Sequence, residues 1–366
     1  MATGAWQLDR LERAFADAAF NPAGWADAVH VAECVTESAG AILLPVTGAR
    51  IPDTPMSDRL REVTETYFRH RWHERDERFK GMSLMMKRGV IDDLDFFDVD
   101  YINRHAYYQE FLAPFGLRWF AGVRIAFGGD VWCLSIQRTI AQGPFSLSEK
   151  QKLQQVSDRL TAGAVLAKAV GLTSAAATLE TLDRSGSAAL LINGLGEVFQ
   201  MNGAAERVLN GEIRIVNRRL TARDRKATDR FDRALHQLIW DRSDAALSSP
   251  VALRDGPYPL LAYLIKPSAF ASNVFADCKA IAILVDVGAR TCVPETTLRI
   301  AFQLTTAEAR LASRLGAGHA IEDIANEVGL AQSTLRSQLK AVFAKTDTHR
   351  QSDLVALLRS VTIGPR

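Results

Sequence analysis

The chain has 366 residues, 48% of them hydrophobic and 23% charged, with a net charge of +2. That length suits two or three domains, and the composition is that of an ordinary globular protein. The near-neutral charge excludes a globally basic nucleic-acid binder, so any such contact must come from the local placement of Lys and Arg. Cys34, Cys133, Cys278 and Cys292 lie far apart with no Cys-x-x-Cys. This argues against a disulfide framework or zinc site and for reduced thiols. The N-terminus has no basic segment followed by an apolar core, and no apolar run reads as long enough to cross a bilayer. A cytoplasmic protein without a membrane partner is expected.

In chain order, Leu8, Leu11, Phe15 and Ala18/Ala19 recur at helical spacing until Pro22 and Gly24. Ala41–Val46 reads as a strand ending in a turn at Gly48, and Asp58–Arg78 as one helix carrying Tyr67, Phe68 and Trp72. Asp98–Phe111 reads as a second helix. Phe120–Phe127 and Val131–Gln137 flank Gly128-Gly129 as a hairpin. Ser146-Leu147-Ser148-Glu149 opens a long helix that extends beyond Ala169. Its Leu153, Val156, Leu160, Gly163, Ala167 and Val170 have heptad spacing, which fits either a dimer seam or packing on its own domain.

Residues 187–192 and 197–202 read as strands around Asn193–Gly196, followed by a short helix from Gly203. Thr221–Trp240 reads as a helix, and Val251–Arg254, Tyr258–Ile265 and Ala280–Val287 as further strands. Phe199 stands where a dinucleotide fingerprint needs its third Gly, so Gly194-x-Gly196 is a hairpin turn. The C-terminal stretch reads as four helices: Ala307–Ala317 behind Thr305/Thr306, Ile321–Val328 before Gly329, Ser333–Lys345, and one after Arg350. The middle pair has a helix-turn-helix layout.

Leu304-Thr305-x-x-Glu308, Gly318, Ile324-Ala325, Ser333–Arg336, Leu339-Lys340, Lys345-Thr346 and Arg350 resemble the DNA-binding domain of LuxR-type (FixJ/NarL-type) transcription regulators. Ala320 stands where that family has a capping Ser or Thr, and Gln338 where it often has His. The first region resembles a GAF-type module. The strand–turn–strand–Asn202–helix opening of the second is similar to PAS domains. The expected fold class is α+β multidomain. A GAF-like α/β sandwich over 1–170 precedes a PAS-like antiparallel sheet with helices over 171–290. A linker over 291–303 and a four-helix LuxR-type domain over 304–366 follow.

Helical geometry from a Ser333 start puts Arg336, Ser337 and Lys340 on one face with Ser333 at its near end. Leu335, Leu339, Val342 and Phe343 lie on the other. The outward set is expected to face bases, with about 1–3 kcal/mol of discrimination per good bidentate pair. Thr334, Gln338 and Lys345 are expected on phosphates. Leu354, Val355, Leu357 and Leu358 read as core or dimer contacts.

For the input region, Tyr67 and Asp76 have the spacing of the acyl-homoserine-lactone pocket of LuxR-type proteins. Val63, Glu77 and Ile91 depart from that signature, which argues against a lactone. Tyr67, Trp72, Asp76, Trp119 and Trp132 remain candidates for a sensory pocket, with ordinary aromatic core as the competing reading. His70, His73, Glu74 and Asp76 lack a further metal ligand and read as a charged helix face. Asp92, Asp93, Asp95, Asp98 and Asp100 lack the offsets of a calcium loop and read as turn and cap carboxylates. With no catalytic or phosphate-loop motif, no enzyme activity, cofactor or metal is expected. The expectation is a homodimeric transcription regulator binding double-stranded DNA under control of a small-molecule ligand or partner. The alternative is a GAF/PAS sensor or adaptor with a degenerate DNA-binding domain.

Overall fold

The computed structural model describes residues 6–47, 54–209, 211–240, 249–267, 273–288 and 293–361. The turn expected at Gly48, Cys292 with the start of the expected linker, and the side chain of Arg359 lie outside them. The protein is α+β and multidomain, with three successive cores.

The first module is a four-stranded antiparallel sheet of order β1-β4-β3-β2, from β1 (Gly40–Pro45), β2 (Val90–Asp92), β3 (Leu117–Phe127) and β4 (Asp130–Thr139). The β3–β4 hairpin turns at Gly128 and Gly129, whose φ of 54° and 91° are cheap only for glycine. One face carries α1 (Leu8–Phe20), α2 (Trp25–Val35) and the long α6 (Leu147–Arg184). The other carries α3 (Leu60–Arg69), α4 (Met82–Arg88), α5 (Val99–Arg104) and a π-helical turn at Tyr107–Leu112.

The single helix expected over Asp58–Arg78 stops at Arg69, because Arg71 takes a left-handed φ of 57°. A 3₁₀ turn at Trp72–Glu74 follows, so His70 and His73 do not share one helix face. The helix expected over Asp98–Phe111 likewise ends at Arg104. Helix α2, absent from the sequence reading, follows Pro22–Gly24 as a turn that redirects the chain rather than ending it.

Helix α6 begins with a reciprocal capping box between Ser146 and Glu149 and continues for 38 residues. Of the expected heptad seam, Leu153, Val156, Leu160 and Ala167 are buried in the first module's core, while Gly163 and Val170 are half-buried. Contrary to the expectation that no apolar run is long enough to cross a bilayer, α6 is long and apolar enough by length and composition, with an 18-residue window of mean hydropathy 1.4.

The second module is a five-stranded antiparallel sheet of order β6-β5-β11-β10-β9. Its strands are β5 (Ala188–Ile192), β6 (Val198–Met201), β9 (Val251–Arg254), β10 (Leu260–Ile265) and β11 (Ala280–Asp286). Asn202 caps α7 (Gly203–Val208) by accepting from Ala205 N–H at 2.9 Å, and ties that cap to β5 through Ala189 N–H at 3.0 Å. A small hairpin, β7 (Ile213–Val216) and β8 (Arg219–Ala222), precedes α8 (Arg225–Trp240). Thr221 and Ala222 therefore belong to a strand, not to the helix expected there.

Between β10 and β11 the chain reaches back into the first module. Phe275 is 3% exposed among Trp25, Trp132 and Phe127, with ring centroids 4.9, 4.8 and 5.6 Å away. Buried Asn273 donates to the Ala167 carbonyl of α6 at 2.9 Å. A Cβ on Gly171 would come within 2.8 Å of Ala276 Cβ, so α6 can approach this segment only with glycine there.

The third module holds α9 (Glu295–Phe302), α10 (Thr306–Gly316), α11 (Ile321–Val328), α12 (Gln332–Thr346) and α13 (Gln351–Val361). Helix α9 occupies residues expected as linker, and its Leu298 joins the helical core.

Candidate functional site

The C-terminal helices are set by their ends. Thr305 and Glu308 form a capping box at the start of α10. Gly329, at φ 69°, stops α11, and Asp347, at φ 50°, stops α12. Ala320 begins α11 without a side-chain cap. Leu335, Leu339 and Val342 of α12 are buried with Leu311, Leu315, Ile324, Leu354 and Leu358. Leu354 and Leu358 are fully buried, so they are core.

The opposite face of α12 presents Ser333, Thr334, Arg336, Ser337 and Lys340, all exposed. Gln338 is half-buried. The Ser337 hydroxyl donates to the Ser333 carbonyl at 3.1 Å, while Arg336 and Lys340 make no ion pair with any described residue. Two cations one turn apart with small polar neighbours can donate to guanine edges or phosphates. Lys345, expected on a phosphate, lies in the last turn of α12 beside the cap of α10. Its ammonium lies 2.7 Å from Glu308, and that hydrogen bond, with the cap, holds the Glu308 carboxyl below its usual range.

A second candidate is a cavity of about 200 Å³ in the first module, lined by the sheet, α3, α4, the π-helical turn and the segment around Asp76. Tyr67 and Asp76 meet there, with the hydroxyl donating to Asp76 Oδ2 at 2.7 Å. Asp76 Oδ1 accepts from Arg78 N–H at 2.9 Å. Burial, then the Asp76 charge, pushes the Tyr107 hydroxyl well above its usual range.

Trp72, Trp119 and Trp132, expected in the same pocket, do not line it. Trp72 stacks on Phe111 at 5.5 Å and carries Arg75 4.0 Å from its ring centre. Trp119 belongs to the aromatic cluster around Trp72 and Tyr108. Trp132 packs on the other side of the sheet with Phe275. Strand alternation is the reason: Cys133, Ser135 and Gln137 of β4 line the cavity, while Trp132, Leu134 and Ile136 face the α1–α6 core. The sequence reading missed Ser135, Gln137 and Arg78. Polar Ser135 and Gln137 alternating with Leu134 and Ile136 was the available signal.

Beside the cavity lies a buried ion pair. Arg78 Nε and Nη2 donate to Asp93 at 3.0 and 3.4 Å, Nη1 to Gln137 Oε1 at 3.0 Å, and Nη2 also to the Arg118 carbonyl at 3.0 Å. Asp93 accepts further from the Tyr108 hydroxyl at 2.7 Å and Phe120 N–H at 2.8 Å. Burial works against the Arg78 charge, yet the Asp93 carboxylate holds the guanidinium above its usual range.

The other first-module carboxylates cap or pair. Asp92 and Asp95 cap each other and share Lys150, each 3.1 Å from its Nζ, and Asp98 caps α5. Burial pushes the Cys133 and Cys278 thiols up to about 12 and about 11, which leaves both poorly reactive. Among the described residues no cluster of three or more His, Cys, Asp or Glu is placed to hold a metal ion.

No family model matches the chain, and no curated protein matches it. Among solved structures the chain is similar to one described as the crystal structure of the phage VqmA–DPO complex, at 14% identity over 51% of this chain and 89% of that one. The TM-score of 0.23 is too low for that likeness to carry any argument.

Proposed function

We propose that this chain is a cytoplasmic, non-enzymatic transcription regulator that binds DNA as a homodimer through α12, under control of the modules before it. On this reading the first module is GAF-like and the second PAS-like, and the C-terminal helices form a LuxR-type helix-turn-helix. One observation carries the reading. Arg336 and Lys340 stand exposed on one face of α12, without ion-pair partners among the described residues, above an apolar underside buried in its own small core. The major groove admits such a helix. A ligand in the cavity would act only through its differential affinity for the DNA-competent and incompetent states.

The test is selection of a duplex from a random pool, followed by anisotropy titration of the full chain. The Arg336→Ala/Lys340→Ala variant is expected to lose at least about tenfold in affinity, with a salt slope smaller by about 1–2. Equal binding by variant and wild type would remove α12 as the reading helix. The uncapped start of α11 and the internal use of Lys345 favour a second reading, a sensor or adaptor whose DNA-binding domain is degenerate. That reading expects no duplex to be enriched.

A further inference from the structure

The cavity in the first module has a charge imbalance that points to its ligand. Among its described lining residues only Asp76 and Arg78 are charged. Arg78 is already neutralised by Asp93, whose side chain is wholly buried. Asp76 accepts from neutral donors, the Tyr67 hydroxyl and the Arg78 backbone N–H, and forms no ion pair with a described residue. Across Asp76, Arg78 and Asp93, one negative charge is left over at the cavity wall.

The rest of the lining fits a cation. Tyr67, Phe68, Phe79, Tyr107 and Phe111 contribute rings to the wall. Tyr67 lies 5.3 Å from Phe68 and 5.6 Å from Phe111, and Tyr107 lies 5.5 Å from Phe111, so these four rings form a connected array. Aromatic faces attract organic cations, most strongly where water is excluded. Phe68, at one end of that array, and Phe79, also on the cavity wall, are 44% and 51% exposed, so the wall reaches solvent there. The volume of about 200 Å³ suits a single ring with a short arm, since about 150 Å³ suffices for benzene.

We propose that this cavity binds a small organic cation, an arylalkyl amine or a compound of similar size, with its ammonium on Asp76 and its apolar body among the rings. The proposal rests on the reading of the first module as the ligand-sensing part, and is independent of whether α12 binds DNA. The test is calorimetry on the full chain without DNA, using phenethylamine, 2-phenylethanol and phenylacetate, which share a size and differ in charge. The amine is expected to bind at least about tenfold tighter than the alcohol, and the acid not at all. Asp76→Asn, checked for fold by circular dichroism, is expected to abolish most of that preference. Should this variant not fold, the three-probe comparison on the wild type decides. Equal or tighter binding of the alcohol or acid overturns the cation while leaving a sensory cavity in place. Retention of the full amine preference by Asp76→Asn, or no heat from the amine at millimolar concentration, also overturns it. None of these outcomes bears on the duplex titration.

Discussion

Replacing Asp93 with Ala removes the carboxylate on which the interior beside the cavity converges. Three donors lose their acceptor, Arg78 Nε, the Tyr108 hydroxyl and Phe120 N–H, while Arg78 Nη2 keeps only the Arg118 carbonyl. Arg78, whose side chain is 9% exposed, would keep its charge without a counterion. Breaking a buried pair by removing one partner costs about 3–5 kcal/mol, and the orphaned donors push this site toward the upper end. Replacing both partners with apolar residues of similar volume, Arg78→Met with Asp93→Leu, leaves no stranded charge and is expected to cost clearly less than Asp93→Ala. Urea denaturation of wild type, the single variants and the double variant, followed by tryptophan emission and far-ultraviolet dichroism separately, measures this for a multidomain chain. A loss below about 1 kcal/mol for Asp93→Ala, or a double variant less stable than that single one, would refute the argument from stranded charge.

Burial raises the Asp92 carboxyl from 3.8 to about 6, against the pull of Lys150. A raised carboxyl binds its proton more tightly in the folded chain, so its contribution to stability is present below the unfolded value and is lost as pH rises from about 4 to about 6. The shift of Asp95 has the opposite sign and offsets part of this. Asp92→Asn should therefore gain relative to wild type between pH 4 and 6, by roughly 2–4 °C in midpoint, and a pH-independent difference would contradict the assignment. Phe275→Ala should cost about 3–5 kcal/mol and red-shift the emission of Trp25 and Trp132, and unchanged emission would mean that the ring is not seated between them. Lys345→Ala should lower stability by about 0.5–1 kcal/mol through Glu308 and leave the salt slope of duplex binding unchanged, whereas a slope smaller by about one would restore Lys345 as a phosphate contact.

The C-terminal helices were the most legible part of the chain because their signals are local. Thr305 with Glu308, Gly329 and the Leu335–Leu339–Val342 stripe act over a turn or two, and the observed bounds of α11 and α12 fall within a residue of those expected. Errors arose where one backbone angle decided the outcome. Arg71 ended a helix that periodicity alone would continue to Arg78. The short strands β2, β7 and β8 were too brief to show a period. Tyr67 and Asp76 were paired only through the resemblance to a known pocket signature, and they do meet. Trp132 was a candidate as an aromatic, with ordinary core as the competing reading, and the period of two along β4 puts it in the core and turns Ser135 and Gln137 to the cavity. Nothing local in Asn273–Phe275 announces that it completes the core of another module.

That borrowed core has a consequence for inheritance. Domains are exchanged between chains at seams that few contacts cross. Here such a cut would empty the box around Trp25 and Trp132 in one product and strand Phe275 in water in the other. The first two modules can be transplanted as a pair far more readily than singly.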